Sequence, residues 1–249
     1  MTRRVTVLAI ALILCACGGQ SSGSQPPESN ITVFAAASLE PAFDKIGAGL
    51  KTTNNIKTTF NYAGTQTLTA QLQQGAQGDV FASADVAHMT SLLDAGLLSA
   101  PSKVFAHNQL EIAVAKGNPK HIQTLADLAR SGLVLVLADP SVPAGKYAKR
   151  ALSKAKVTVH PASLELQVTA VLTKVALGEA DAGIVYVSDV VTSGKVDGVT
   201  IPDEQNVIAD YPIAGLKSGT NAAGAHAFID LVLAPDGQAT LKAAGFQGV

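Results

Sequence analysis

Apolar residues follow two different spacings along the chain, and each change of spacing predicts the end of one element and the start of the next. Over residues 31–35 apolar side chains alternate with Thr32 in a β-rich run, as in a buried strand. Over residues 39–50 they recur every three or four positions, as on one face of a helix. The same change is repeated several times after residue 56. Repeated strand and helix units predict an α/β protein with parallel strands.

Two of these changes fall at a hydroxyl residue. Ser38 stands where the first strand spacing ends, and Pro41 follows within the first helical turn, so we expect Ser38 to be the helix N-cap. Thr65 holds the equivalent place after a strand predicted over residues 56–62. The first N–H groups of a helix lack intrahelical partners and carry partial positive charge, so they can bind an anion. One such serine most often only caps its own helix, but two such starts can face one ligand.

Further strands and helices are predicted after residue 75. A capping box, Thr124 with Asp127, predicts the start of another helix. Ligands of parallel sheets lie beyond the carboxyl ends of the strands, where this assignment places Ser38, Thr65, Ala144 and Tyr186. The pattern alone leaves open whether there are one or two sheets. The remaining strands are predicted at residues 78–85, 109–115, 133–137, 182–187 and 211–216, and the last two helices at 221–233 and 235–244.

The N-terminal segment differs from the rest of the chain. Two arginines precede an apolar stretch over residues 5–16, which has the length of a signal peptide and is too short to span a membrane. It ends in LCAC at residues 14–17, which resembles a bacterial lipobox and implies cleavage before Cys17 and a lipid on that cysteine. We therefore expect a signal peptide at 1–16 and a flexible, lipid-anchored tether at 17–29. A plain secretory cleavage or an uncleaved anchor is the alternative.

Charge and cysteine usage narrow the function classes. Both cysteines precede the tether, so the mature domain is expected to lack disulfides and thiolate chemistry. Removing two arginines from a chain with a formal net charge of −1 leaves a mature charge near −3. No basic patch favours nucleic acid. A bound anion would therefore have to be held by local dipoles, because the overall field of the protein does not attract it.

Catalytic and metal-binding patterns are missing from the sequence. The histidines never have the spacing of a metal site, and no serine elbow or phosphate-binding loop occurs. Several aspartates flank predicted strand ends, where carboxylates more often cap turns and helices than act as acids or bases: Asp79, Asp85, Asp139, Asp181 and Asp189. We expect surface histidines and a protein that is not an enzyme and carries no cofactor or directly bound metal.

Five motifs together resemble the periplasmic molybdate-binding proteins of ABC importers. They are VFAAASL at 33–39, GDVFASAD at 78–85, DPSVPAG at 139–145 with YAK at 147–149, GIVY at 183–186 with SD at 188–189, and GF at 245–246. Their order matches that of the family over nearly the whole mature chain. The resemblance implies a two-lobed periplasmic-binding-protein fold of type II kind, with mostly parallel sheets and a ligand cleft between the lobes.

The resemblance also implies how the chain is divided and what it binds. One lobe would consist of residues 30–110 and 208–249, and the other of residues 111–207, with hinge strands near Leu110 and Tyr211. Molybdate, and with it tungstate, would be bound by the hydroxyls and N–H groups of Ser38 and Thr65, the N–H groups of Ala144 and Val168, and the Tyr186 hydroxyl. The partners would be this oxyanion and a membrane permease, and the protein would be a monomer lipid-anchored at Cys17 on the extracytoplasmic face of the cell membrane.

The proposed ligand set contains donors without a carboxylate, and this suits a fully deprotonated tetrahedral oxyanion. Hydrogen phosphate keeps a proton that needs an acceptor, so the composition favours molybdate, tungstate or sulfate over phosphate. Cavity size must then separate molybdate from sulfate. Three alternatives remain at this point: a receptor for sulfate, thiosulfate or phosphate, an extracytoplasmic hydrolase, and a structural lipoprotein with an empty cleft.

Overall fold

The computed structural model describes residues 28–249, in which strands and helices alternate. The predicted signal peptide, Cys17 and most of the predicted tether lie outside this range. The strands are β1 Ser29–Ala36, β2 Ile56–Ala63, β3 Val80–Ala82, β4 Lys103–Asn108, β5 Leu110–Ala115, β6 Leu135–Ala138, β7 Ser163–Glu165, β8 Ala182–Tyr186, β9 Val196–Thr200 and β10 Ala209–Gly215. The helices are α1 Glu40–Asn54, α2 Thr65–Gln73, α3 Val86–Asp94, α4 Pro143–Lys154, α5 Val168–Ala176, α6 Val187–Ser193, α7 Ala222–Leu233 and α8 Pro235–Ala243, with short 3-10 helices at Ala37–Leu39 and Leu125–Ala129.

The strands form two five-stranded sheets with the same plan. The strand order is β2-β1-β3-β10-β4 in the first sheet and β7-β6-β8-β5-β9 in the second. In each sheet four strands run the same way, while β10 opposes its neighbours in the first sheet and β5 opposes its neighbours in the second. The predicted α/β fold with mostly parallel sheets is confirmed.

The two opposing strands are those that receive the chain from the other sheet. β4 ends at Asn108 and β5 begins the second sheet at Leu110; after β9 ends at Thr200, β10 returns to the first sheet from Ala209. A chain that leaves one sheet at the carboxyl edge of its parallel strands enters the other sheet at that same edge. Both entering strands must then run opposite to their neighbours. The lobe limits at residues 110 and 208 stay a prediction, and both crossings lie close to them.

Packing is dense on both sides of the first sheet. Ile31, Val33 and Ala35 of β1 belong to the main core, while Phe34 points to a second cluster beneath α2 and α3. A strand buried on both faces explains why residues 33–37 are all apolar. Phe43 of α1, fully buried, makes ring contacts with Phe60, Phe105 and Phe228 at centroid distances of 6.2, 5.7 and 5.3 Å.

Most predicted elements are present, but some details were wrong. Ser38 is not the N-cap of α1: it lies inside the 3-10 helix Ala37–Leu39, and its hydroxyl lies 3.0 Å from the Tyr211 hydroxyl instead of bonding a backbone N–H. The capping box of Thr124 and Asp127 is confirmed, although the helix it starts is a five-residue 3-10 helix.

Strands β4, β7 and β9 were not predicted. β7 has three residues and none of them is fully buried, and β9 alternates exposed and half-buried residues after Val196. β7 and β9 therefore lack the apolar runs by which the predicted strands were found. Among residues 28–249, no helix combines the length and the apolar character needed to cross a bilayer.

We expect the change Phe43→Ala to lower the free energy of unfolding by about 3–5 kcal/mol, because it removes a fully buried ring that contacts three others. Urea unfolding followed by circular dichroism measures this. Leu177→Ala is the control, since Leu177 is 68% exposed and its loss should change stability by less than about 0.5 kcal/mol. Similar effects of the two changes would contradict this account of the core.

Candidate functional site

A small cavity lies where the carboxyl ends of strands from both sheets meet. Its volume is about 10 Å³, roughly the space of one water molecule and far below the range of about 300–1,000 Å³ usual for pockets that hold drug-sized ligands. All five predicted ligand residues line it, together with small or apolar neighbours: Ser38, Thr65, Ala144, Val168 and Tyr186. Every residue of the lining is uncharged. The structure therefore brings together residues that are up to 148 positions apart in the sequence.

The first sheet contributes two buried hydroxyls to the cavity. Ser38 follows β1, and its Oγ lies 3.0 Å from the hydroxyl of Tyr211. Thr65 opens α2 directly after β2, and its Oγ1 accepts a hydrogen bond of 3.2 Å from the N–H of Ala84. Because a lone pair of Thr65 Oγ1 is used by this bond, its own hydrogen is left to donate elsewhere.

The second sheet contributes two helix starts. Pro143 is the first residue of α4 and has no N–H, so Ala144 provides the first N–H group of that helix. Val168 is the first residue of α5, which follows β7. N–H groups at these positions lack acceptors within their own helix. The cavity therefore receives partial positive charge from two helices of this lobe as well as from α2.

Tyr186 brings the fifth polar group. It ends β8, its side chain is buried, and its hydroxyl has no hydrogen-bond partner among the described residues. Burial raises the pKa of this hydroxyl well above its ordinary value, so it stays protonated and can donate. An unpaired buried hydroxyl is unfavourable by about 1–3 kcal/mol, so this group is one that an acceptor in the cavity would stabilise.

Glycines permit the close approach of backbone around the cavity. A Cβ at Gly64 would collide with the carbonyl oxygen of Leu166, and one at Gly145 would collide with the carbonyl oxygen of Asp139. Gly64 precedes the donor Thr65, and Gly145 follows the donor Ala144. We infer that both positions require glycine because main-chain atoms pass there, whatever the ligand.

Two polar contacts join the lobes beside the cavity. The Gln66 side-chain amide donates a 2.8 Å hydrogen bond to the carbonyl of Leu166, and Lys146 Nζ lies 3.5 Å from Asp85 Oδ2. Asp85 is buried, which raises its pKa, but hydrogen bonds from the ring and backbone of His88 together with the Lys146 charge outweigh burial and lower that pKa. Asp85 is therefore ionised at neutral pH and attracts Lys146 across the cleft.

The flanking aspartates have the structural roles predicted for them. Each accepts hydrogen bonds from backbone N–H groups: Asp79 from Thr32 and Asn221, Asp85 from His88, Asp139 from Ser141, Asp181 from Val134, and Asp189 from Tyr186. Within residues 28–249 no cluster of three or more His, Cys, Asp or Glu could hold a metal ion. The expectation of surface histidines holds for His121, His160 and His226, whereas His88 and His107 are half-buried and paired with aspartates.

Sequence reasoning missed Tyr211, Gln66 and Lys146. Tyr211 was noted only as a hinge position, but it is fully buried and contacts Ser38 directly. Gln66 and Leu166 are 100 residues apart and lie on different lobes, so no local pattern joins them. The only signal in the sequence was the closeness of these polar residues to predicted donors. Gln66 directly follows Thr65, and Lys146 comes two positions after Ala144.

Comparisons with known proteins match this chain to bacterial solute-binding proteins. Residues 31–247 match the family described as bacterial extracellular solute-binding protein. The molybdate-binding protein ModA of Mycobacterium tuberculosis H37Rv is 44% identical over 240 residues, covering 94% of this chain and 92% of the relative. ModA of Escherichia coli K12 is 34% identical over 230 residues, covering 88% and 89%.

Solved structures with a similar fold include two oxyanion-binding proteins. The periplasmic molybdate-binding protein of Azotobacter vinelandii matches with a TM-score of 0.76 at 20% identity, covering 87% of this chain and 98% of that one. The sulfate-binding protein SubI of Mycobacterium tuberculosis matches with a TM-score of 0.77 at 19% identity, covering 89% and 88%. At these identities the likeness concerns the fold.

Asp189, buried below Tyr186, should make stability depend on pH. Burial raises its pKa to about 7, although the hydrogen bond from the Tyr186 N–H acts to lower that pKa. Between about pH 4 and 7 the folded carboxyl keeps a proton that the unfolded one has lost, so its contribution to stability falls as pH rises, by at most about 4 kcal/mol. Asp189→Asn should remove this fall, because the amide oxygen can still accept from Tyr186.

The measurement is urea unfolding of both proteins from pH 4.5 to 7.5. Wild type should lose stability relative to Asp189→Asn as pH rises, while Asp94→Asn, at an exposed site on α3, should run parallel to wild type. Parallel curves for wild type and Asp189→Asn would refute the assigned titration.

Proposed function

The chain belongs to the family of bacterial extracellular solute-binding proteins, in the group that contains the ModA relatives, and from this we propose that it binds molybdate and delivers it to an ABC importer. Tungstate is proposed as a second ligand, because it has the same charge and shape. The family role is solute binding outside the cytoplasm, and we propose no catalysis. The M. tuberculosis relative, named a molybdate-binding protein, supports the choice of ligand.

The observation that carries the proposal is an uncharged cavity whose polar groups are positioned to donate. Ser38, Thr65 and Tyr186 offer hydroxyls, and Ala144 and Val168 offer helix-start N–H groups. Each hydrogen bond to a charged group contributes about 1.5–3 kcal/mol, so five to seven of them can supply the roughly 8–12 kcal/mol of micromolar to nanomolar binding after ordering is subtracted. An anion can therefore be bound here without an ion pair.

The same donors favour anions without a proton. Molybdate and sulfate present only acceptors near neutral pH, whereas hydrogen phosphate must also donate. The cavity lining has no carboxylate to accept that proton. Charge and hydrogen bonding do not separate molybdate from sulfate, so the dimensions of the closed cavity must do so.

Binding would close the two lobes on the anion. Ser38 and Thr65 follow strands of the first sheet, while Ala144, Val168 and Tyr186 belong to the second. The full donor set is therefore complete only when the lobes are together. The contacts of Gln66 with Leu166 and of Lys146 with Asp85 would stabilise that state, and the permease would recognise it.

We also propose that the protein is a monomer held at the membrane by a lipid on Cys17. The LCAC motif at 14–17 and the Gly, Ser, Gln and Pro-rich stretch that follows support an anchor with a flexible tether. Such a tether keeps the receptor close to its importer and raises its effective concentration there.

Thermal unfolding of the full-length protein in detergent, with molybdate, tungstate, sulfate or phosphate, tests the ligand. An anion at a thousand times its dissociation constant should add about 4 kcal/mol of stability, which raises the melting temperature by several degrees. We expect molybdate and tungstate to act. The double change Ser38→Ala and Thr65→Ala should weaken molybdate binding about 100-fold or more, because two bonds to the anion are lost.

The matched control is Thr52→Ala with Thr53→Ala, which removes two exposed hydroxyls of α1 that bond only to neighbouring groups of the same helix segment. It should leave the shift with molybdate unchanged. A shift with sulfate or phosphate alone would show that the ligand is wrong, and no shift with any oxyanion would contradict the clamp itself.

Cys17→Ser tests the anchor in cells. We expect wild type in the membrane fraction and labelled by radioactive palmitate, and the Cys17→Ser variant in the soluble extracytoplasmic fraction without label. Cys15→Ser is the control and should behave like wild type. An unlabelled wild type, or a Cys17→Ser variant that stays in the membrane, would contradict lipid attachment at Cys17.

A further inference from the structure

The hydroxyl of Ser38 is oriented by a residue behind it. Ser38 Oγ and Tyr211 Oη are 3.0 Å apart and both residues are buried, but Tyr211 is not part of the cavity lining. A serine hydroxyl has one hydrogen to donate and two lone pairs. If Ser38 donates to Tyr211, it turns a lone pair towards the cavity. If Tyr211 donates to Ser38, the hydrogen of Ser38 is free for a ligand.

The chemistry of the two hydroxyls favours the second arrangement, because a phenolic hydroxyl is more acidic than a serine hydroxyl and is therefore the stronger donor of the pair. When Tyr211 donates to Ser38 Oγ, the hydrogen of Ser38 is left to donate into the cavity.

The position of Tyr211 is rigid. Its ring is fully buried and packs edge-on against Phe105, Tyr186 and Phe246, at centroid distances of 6.3, 5.8 and 5.3 Å. Its hydroxyl therefore cannot turn away from Ser38 without repacking the core between the lobes.

Thr65 is arranged in the same way by a different donor. Its Oγ1 accepts from the N–H of Ala84 at 3.2 Å, which again leaves its hydrogen for the cavity. Both hydroxyls of the first lobe thus have a lone pair taken by a protein donor. The cavity then presents hydrogens on this side and little capacity to accept one.

We propose that Tyr211 is a positioning residue that fixes Ser38 as a hydrogen-bond donor and so favours fully deprotonated oxyanions over anions that carry a proton. This rests on the proposed function, since it concerns the ligand of the same cavity. Without the Tyr211 hydroxyl, Ser38 can rotate and accept the proton of hydrogen phosphate. The protein then discriminates less between deprotonated oxyanions and hydrogen phosphate, and its affinity for molybdate falls as well.

The test is calorimetric titration of full-length wild type and Tyr211→Phe with molybdate, sulfate and phosphate at pH 8. Tyr211→Phe keeps the ring and removes only the hydroxyl. We expect molybdate binding to weaken about tenfold or more, and the ratio of the phosphate to the molybdate dissociation constant to fall by at least about fivefold. Tyr62→Phe is the matched control: it removes a hydroxyl bonded to Asp44, away from the cavity, and should change neither value.

A double-mutant comparison separates positioning from packing. If Tyr211 acts through Ser38, Tyr211→Phe should have little further effect on molybdate binding in a protein that already carries Ser38→Ala. Equal weakening for all three anions, an unchanged molybdate affinity, or the same loss in the Ser38→Ala background would overturn the inference. If wild type binds molybdate but Tyr211→Phe keeps the wild-type ratio of the phosphate to the molybdate dissociation constant, this inference alone is refuted. If wild type binds no oxyanion, the proposed function is refuted as well.

If Tyr211→Phe does not fold, wild type labelled with ¹³Cζ-tyrosine provides the second measurement. The Tyr211 resonance should move when molybdate is added, because the hydrogen-bond chain from Tyr211 through Ser38 to the anion strengthens. The Tyr62 resonance should stay in place. A Tyr211 resonance that does not respond to molybdate would overturn the inference.

Discussion

The unpaired N–H groups at helix starts are the feature on which the cavity depends. A helix cannot satisfy its first N–H groups internally, and α2, α4 and α5 each begin shortly beyond the carboxyl end of a strand. Because both sheets turn these edges towards one another, donors from separate helices meet around one small space. The direction of the strands thus decides the charge character of the site before any side chain is considered.

Side chains then refine what the backbone provides. The Ser38 hydroxyl lies against that of Tyr211, Thr65 Oγ1 accepts from the N–H of Ala84, and Tyr186 has a buried hydroxyl with no partner among residues 28–249. The formal charge is −1 for the full chain and near −3 without the predicted signal peptide, so the overall charge does not attract an anion. Local dipoles around a small, uncharged cavity lined by buried residues are therefore the main source of electrostatic attraction, and burial strengthens them because the local dielectric constant is low.

The parts of this arrangement that sequence can predict are local. The change from strand to helix spacing at Ser38 and Thr65 was visible within short segments, and the same pattern placed Ala144 beyond a strand end. The ligand role of Ala144 and the choice of Val168 came from a family resemblance. The N-cap assignment of Ser38 was wrong because the distant Tyr211 lies against its hydroxyl, 173 positions along the chain. The contact of Gln66 with Leu166 and the strands β7 and β9 depend likewise on partners far away in sequence, and their own residues carry no strong apolar pattern.

The position of β10 in the first sheet also sets the order in which the chain can assemble. β10 lies between β3 and β4, yet it is made after every strand of the second sheet. During synthesis or export from the N-terminus, β4 has no neighbour to pair with until β10 arrives, whereas β5 to β9 can already form their sheet. The lobe that holds the N-terminus is thus the last to be completed, and Tyr211, which comes with β10, reaches Ser38 only at that final step.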